Sequence, residues 1–214
     1  MDNIKKEIDG LVGFIREEVK NAGKSGCVVG VSGGVDSAVI LALCKIAFPE
    51  TTYGVSMPYG TVESTERARE ICNKYNVPLL QVSVKDFINS ENLDLLSKGN
   101  SLVKGNFVAR TRMAILYAHA GLMDGLVVGT DNLTENYIGY FTKYGDGGVD
   151  INPIGEYYKY EVYELARELG VPDSILTAHP SAELWDGQTD EGELGITYEQ
   201  MDTRAYILDG ASLC

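Results

Sequence analysis

Gly26-Cys27-Val28-Val29-Gly30-Val31-Ser32-Gly33-Gly34-Val35-Asp36-Ser37 is the stretch on which the reading of the fold turns. An apolar run with β-branched residues stops at a glycine pair, and a second apolar run, Ala38-Val39-Ile40-Leu41-Ala42-Leu43-Cys44, follows at once. Strand, tight turn and buried helix is the economical parse. Glycines let the backbone approach a ligand, and the start of a helix presents unpaired N–H groups and the positive end of a dipole. Gly30 through Ser37 therefore suit an anionic phosphate. Ser32 and Ser37 add hydroxyls, whereas Asp36 is a poor partner for bare phosphate and makes sense chiefly as a ligand of Mg2+. The lysine of a G-x-x-x-x-G-K-[ST] loop is missing, so this is not a Walker A motif. The plainer alternative is a glycine turn with a serine cap.

Outward from this turn, strands and helices alternate. Before it, Ile4, Ile8, Leu11, Val12, Ile15 and Val19 recur at helical spacing and Gly23 closes the pattern. After it come a strand at Tyr53–Met57, a helix from Glu63 to Tyr75 and a strand at Leu79–Ser83. A polar connection from about Asp86 to Asn106 leads to a helix from Phe107 through Tyr117, and Leu126–Gly129 is a fourth strand. This order predicts an α/β, doubly wound, mostly parallel sheet with helices on both faces. In such sheets ligands bind beyond the carboxyl ends of the strands. Past Thr130 the pattern fades into a Gly-, Tyr- and Asp-rich stretch from Tyr137 to Pro153, followed by a helix from Lys159 to Leu169 that Gly170 and Pro172 stop. Ala178 to Gly195 reads as a long loop of the kind that closes over a ligand. With no repeat or linker, residues 1–214 are read as one domain.

Composition narrows the partners. The 214 residues carry 18 bases and 31 acids, a net charge of -13 that repels nucleic-acid phosphates and anionic lipid unless the bases cluster. Neither nucleic acid nor membrane is an expected partner. Cys27, Cys44, Cys72 and Cys214 form no C-x-x-C pair, which leaves free thiols in a reducing cytoplasm as the plain reading. The apolar runs are too short to cross a bilayer, and no signal peptide stands out.

Several later residues invite a chemical reading beside an ordinary one. Thr130 to Glu135 follows the fourth strand, so Glu135 can supply a second metal carboxylate opposite Asp36, or the segment can be a capped strand-to-helix turn. Arg110 and Arg112 sit two apart on a helix and so on different faces, where solvated charge is the ordinary account. Lys159 opens a helix against the local dipole, a conflict that a phosphate ligand would resolve. Asp186, Asp190, Glu191 and Glu193 are better read as a solvated loop face. His119 is read as packing and His179 as a loop residue, so no histidine-driven chemistry is expected.

The Ser32–Ser37 motif resembles the PP-loop of the ATP pyrophosphatases, which cleave ATP between its α and β phosphates and hold the departing pyrophosphate on this loop. Four more blocks narrow the resemblance: Lys104–Met113, Gly129–Glu135, Tyr140–Pro153, and Ser181-Ala182-Glu183-Leu184-Trp185 running on to Leu194–Tyr198. Together they resemble the ammonia-dependent NAD synthetases across nearly the whole chain. The resemblance implies an amide-forming ligase: the nicotinate carboxylate of deamido-NAD attacks ATP, and ammonia takes the resulting acyl adenylate to NAD and AMP. By the same resemblance ATP is held by residues 30–37 with Thr130, Lys159 and Ser181, and Mg2+ by Asp36 and Glu135. Deamido-NAD falls to Arg110, Lys143 and Asp150, with ring faces offered by Tyr140, Phe141 and Tyr144. Asp36, Glu135 and Lys159 are the expected catalytic groups. A cytoplasmic homodimer is implied, with the long helix from Phe107 a contributor to its interface. Two features depart from the family pattern: the chain ends at Cys214 without the His-Lys pair that usually touches deamido-NAD, and the connection before the Phe107 helix is short. Another PP-loop enzyme, such as a tRNA-thiolating one, or a silent nucleotide-binding module stays open as an alternative.

Overall fold

Four parallel strands make the sheet of the computed structural model, which describes residues 2–59, 62–87, 96–181 and 187–208. They are β1 (Gly26–Gly30), β2 (Thr52–Ser56), β3 (Leu79–Gln81) and β4 (Gly125–Val128), in the spatial order β3-β2-β1-β4. The chain therefore builds outward from β1 to β3, then returns to place β4 on the free side of β1. That reversal opens a crevice between the carboxyl ends of β1 and β4. Parallel pairing continues past β4 through a bridge between Val128 and Ile151.

Side-chain alternation along the strands divides the core in two. Cys27 and Val29 of the first strand and Val31 just after it, with Leu126 and Val128 of the fourth, face the larger cluster. That cluster is completed by α1 (Asp2–Asn21), α2 (Val35–Ala47), α3 (Val62–Tyr75) and α6 (Lys159–Leu169). Val28, Val55 and Val127 point the other way, onto Val108, Ile115 and Ala120 of α4 (Ser101–Leu122). Layers of helix on both faces of a parallel sheet agree with the sequence expectation.

Two boundaries differ from it. The long helix begins at Ser101, six residues before Phe107, because the Asn100 side chain accepts from the Val103 N–H at 3.0 Å and caps an earlier turn. Gly105 inside this helix is buried and tolerated. The stretch read as a continuous loop to Gly195 contains a short helix, α8 (Asp190–Leu194), started by the Thr189 side chain and ended by Gly195 at φ +68°. A further helix, α9 (Tyr198–Leu208), follows it; two small helices, α5 (Leu133–Ile138) and α7 (Asp173–Leu176), complete the set used below. Residues 88–95 of the polar connection, 182–186 of the suggested lid, Asp186 with them, and Cys214 lie outside the described residues. Cys27, Cys44 and Cys72 are buried free thiols. Among the described residues no helix is long and apolar enough to cross a membrane.

Candidate active site

A cavity of about 400 Å³ occupies the crevice. The loop after β1 forms its floor, and its shape follows from two glycines. Gly33 takes φ +85°, and a β-carbon there would stand 2.5 Å from the Ser64 carbonyl oxygen. Only glycine fits both conditions. Arg67 Nε donates to the Gly33 carbonyl at 3.0 Å and pins the turn to α3. Gly34 precedes α2 without contributing a side-chain cap, so the first turn of that helix faces the cavity bare of one. Ser37 Oγ donates to the Gly34 carbonyl at 3.0 Å and lies 3.2 Å from Ser32 Oγ, so both hydroxyls are fixed beside the loop. Every residue from Gly30 to Ser37 lines the cavity.

Across the crevice, β4 delivers Thr130, Asp131, Asn132 and Glu135. Asn132 and Glu135 form a reciprocal cap: Glu135 N donates to Asn132 Oδ1 at 3.0 Å, and Asn132 N donates to Glu135 Oε2 at 3.3 Å. The capped turn and the chemical site are thus the same residues. Asn132 Nδ2 also donates to Asp36 Oδ1 at 3.0 Å, which ties the two strand ends together.

Lys159 closes the arrangement. Its side chain is 3% exposed, and Nζ lies 2.6 Å from Asp36 Oδ2 and 3.2 Å from Glu135 Oε1. In this structure the two carboxylates balance the lysine charge at the start of the helix. The backbone of that helix start is satisfied separately: Lys159 N donates to Thr134 Oγ1 at 3.0 Å, and Tyr160 N to Asp202 Oδ2 at 2.9 Å. Burial opposes the ammonium charge, but Asp36 and Glu135 outweigh it and hold the Lys159 pKa above the usual lysine range. Burial pushes the Glu135 carboxyl up, against the pull of Lys159. Asp131 is pushed up to about 8, first by burial and then by the Asp146, Glu135 and Asp36 carboxylates.

The loop acids depart from expectation. Asp190 is buried and lines the cavity. Its Oδ2 accepts from the Tyr198 hydroxyl at 3.0 Å, and the same hydroxyl is 3.0 Å from Glu135 Oε1. Tyr140 binds Glu193 Oε2 at 2.8 Å and lies 3.4 Å from Asp190 Oδ1. A polar chain therefore runs from Glu135 to α8, and the solvated-face reading fails for Asp190. Glu193, although exposed, is tied to Tyr140 and lines the cavity as well. Ser181 lines the cavity and donates to the Gln188 carbonyl at 2.7 Å.

Arg110, Lys143 and Asp150 stand apart. All three are exposed and none lines the cavity. Arg110 Nε donates to the Lys143 carbonyl at 3.1 Å, and Lys143 Nζ lies 5.2 Å from the centre of the Tyr144 ring. Asp150 accepts from Val127 N at 2.8 Å and from the Tyr117 hydroxyl at 3.0 Å, so both of its oxygens have partners within the fold. Arg112, on the other face of α4, lines the cavity instead and donates through Nε to the Met57 carbonyl at 3.2 Å. Tyr140 and Phe141 reach the wall; Tyr144, with φ +60°, does not. His119 is half-buried on its helix, while His179 is exposed at the cavity rim.

Sequence reasoning missed Asn132, Asp131, Tyr198 and the inward turn of Asp190. The Asn-x-x-Glu spacing at 132–135 was a capping signal available for the first of these. Tyr198 and Asp190 had none, since only tertiary packing brings them to Glu135.

The NAD synthase family model matches residues 7–210. The chain belongs to the NAD synthase family. It is therefore an ATP-binding ligase of NAD biosynthesis that forms a carbon–nitrogen bond and releases AMP. Within this family the NH3-dependent NAD+ synthetase of Alkaliphilus oremlandii is 46% identical over 211 residues, spanning 94% of this chain and 84% of that protein. The solved NMN synthetase from Francisella tularensis superposes with a TM-score of 0.90 at 37% identity, covering 99% of this chain and 88% of that one. The NH3-dependent NAD synthetase from Campylobacter jejuni in complex with the nitrate ion gives a TM-score of 0.75 at 36% identity, over 81% and 76% of the two chains. These matches agree with the resemblance drawn from the five sequence blocks.

Proposed function

We propose that the β1–β4 crevice carries out ATP-dependent amidation of deamido-NAD by ammonia. The observation that carries the assignment of roles is the convergence of Asp36 and Glu135 on one point beside a glycine loop whose helix start has no side-chain cap. Residues 30–37 receive the β and γ phosphates, with Thr130, Lys159 and Ser181 on the opposing wall. The donor set fits Mg2+, which takes one or two carboxylates and completes its shell with water and phosphate oxygens. Asp36 and Glu135 would hold that ion, which supplies charge neutralisation for the triphosphate.

Positioning is the main task of the remaining residues. An oxygen of the nicotinate carboxylate attacks the α-phosphorus, the bond to pyrophosphate breaks, and an acyl adenylate forms. Ammonia adds to its carbonyl, sheds its extra proton, and expels AMP as the C–O bond breaks. Lys159 stabilises negative charge on the departing pyrophosphate. Arg110, Lys143 and Asp150 form the outer acceptor site, with Tyr140 and Phe141 as ring contacts on the way to the crevice. Their exposure outside the cavity, on a molecule whose α4 also exposes Leu102, Val103 and Leu122, supports a homodimer that completes the site. The buried free thiols support a cytoplasmic setting. Residues 1–214 act as one domain.

Incubation with ATP, MgCl2, ammonium and deamido-NAD is expected to yield NAD and AMP in equal amounts. AMP formation without NAD would reject the acceptor. The likeness to an NMN synthetase makes nicotinate mononucleotide the comparison acceptor: the reading requires deamido-NAD to be the better substrate by kcat/KM.

A further inference from the structure

Asp36 and Glu135 are each held by Asn132 through one oxygen, Oδ1 of Asp36 by its amide and Oε2 of Glu135 by its backbone N–H. The remaining oxygens, Oδ2 and Oε1, aim at a single point, and that point contains Lys159 Nζ. The ammonium is buried and lies 4.5 Å from the centre of the Tyr198 ring, whose face adds a third attractive contact. A cation thus already stands where the two carboxylates converge. Two part-buried carboxylates facing one another would otherwise repel.

We propose that in the nucleotide-free chain the Lys159 ammonium occupies the cation position of Asp36 and Glu135, excluding free divalent metal and yielding only when a triphosphate offers it new anionic partners. This inference rests on the assignment of Asp36 and Glu135 as the metal carboxylates. Its physical basis is charge balance. A divalent ion alone would have to displace the ammonium from both Asp36 and Glu135 without bringing it a new anionic partner. A metal–triphosphate complex supplies the phosphate oxygens that receive the ammonium at the same moment. Metal and nucleotide binding are then strongly coupled through one side chain, and by reciprocity each raises the affinity of the other. The arrangement also explains why a lysine stands at the opening of α6. The ammonium keeps both carboxylates in place before substrate arrives and then becomes a phosphate ligand.

The test follows Mn2+ and the lysine separately. Mn2+ is titrated by electron paramagnetic resonance against the full chain with and without α,β-methylene-ATP, which resists cleavage between the α and β phosphates. Mn2+ without nucleotide is expected to bind Lys159→Met roughly ten- to a hundredfold more tightly than the unaltered chain or Lys159→Arg, which keeps the charge. The added site should vanish in Lys159→Met/Asp36→Asn. Equal affinity in Lys159→Met and the unaltered chain overturns the proposal. Because removal of a buried cation can impair folding, the unaltered chain provides a second measurement: the 15Nζ resonance of Lys159, assigned by its loss in Lys159→Arg. Excess MgCl2 alone should leave this resonance in place, whereas MgCl2 with α,β-methylene-ATP should move it. A shift with MgCl2 alone overturns the plug while leaving the metal site intact. No shift with nucleotide present overturns the plug, and absence of added Mn2+ binding with nucleotide removes the metal site itself.

Discussion

Asp36, Glu135 and Lys159, where β1 meets β4, are largely withdrawn from solvent and paired with one another, whereas Arg110, Lys143 and Asp150 are exposed and bind backbone or a tyrosine. Asp36, Glu135 and Lys159 come from three distant parts of the chain yet meet within 3.2 Å. Arg110 and Lys143 meet only through a carbonyl, and Asp150 spends its carboxylate on β4 and α4. The fold alone therefore brings together the charged residues of the β1–β4 crevice, the proposed phosphate end of the site. At the acceptor end the fold supplies residues without enclosing them. In the function proposed above, enclosure there falls to the acceptor itself and to a second copy of the chain.

Replacement of Asp36 by Asn presses hardest on this division. It keeps the shape of the side chain and the bond to Asn132 while removing charge from the preassembled end, so turnover should fall by about a hundred- to a thousandfold with an unchanged circular dichroism spectrum. An unchanged rate would show that the buried charges serve the fold alone. Gly33→Ala attacks the same end through the backbone. Its β-carbon would meet the Ser64 carbonyl at φ +85°, so urea denaturation should show a loss of about 1–3 kcal/mol, with weakened ATP binding. At the other end Arg110→Ala and Lys143→Ala should raise the KM for deamido-NAD roughly tenfold while leaving ATP affinity alone. A matching loss of ATP affinity would erase the distinction between the two regions.

A separate effect belongs to the electrostatics of the cavity. Asp131 rises from an ordinary value of 3.8 to about 8 in the folded chain. Between those values the folded state holds a proton that the unfolded state has released, so stability is fullest on the acid side and falls as pH rises through the window. The slope is at most about 1.4 kcal/mol per pH unit. Urea titrations at pH 5 and pH 8 should show this decline, and Asp131→Asn should flatten it. Arg110 and Lys143, exposed and remote from Asp131, should not alter that slope.

The two regions also differed in how far the sequence revealed them. Gly33, Gly34, Asp36 and Ser37 were legible as a strand-to-helix turn because a glycine pair between two apolar runs marks one, and the acid beside it prompted the reading of a metal-bound phosphate site. The alternation of strands gave the parallel sheet, and the position of Glu135 after β4 placed it in the crevice. Lys159 was legible as a conflict with its helix dipole, although its partners proved to be carboxylates. The inward turn of Asp190 and the hydroxyl bridge of Tyr198 were invisible, since both depend on α8 and α9 folding back over Glu135. The early start of α4 was masked by Gly105, whose low helix propensity is outweighed by the Asn100 cap and burial.

A crystal structure of the chain grown with MgCl2 and α,β-methylene-ATP is the decisive measurement for the phosphate end. We predict the β and γ phosphates on the loop from Ser32 to Ser37, the metal on Asp36 and Glu135, and Lys159 Nζ moved from the carboxylates to phosphate oxygen. A triphosphate bound away from that loop, with Lys159 still between the two carboxylates, would contradict it.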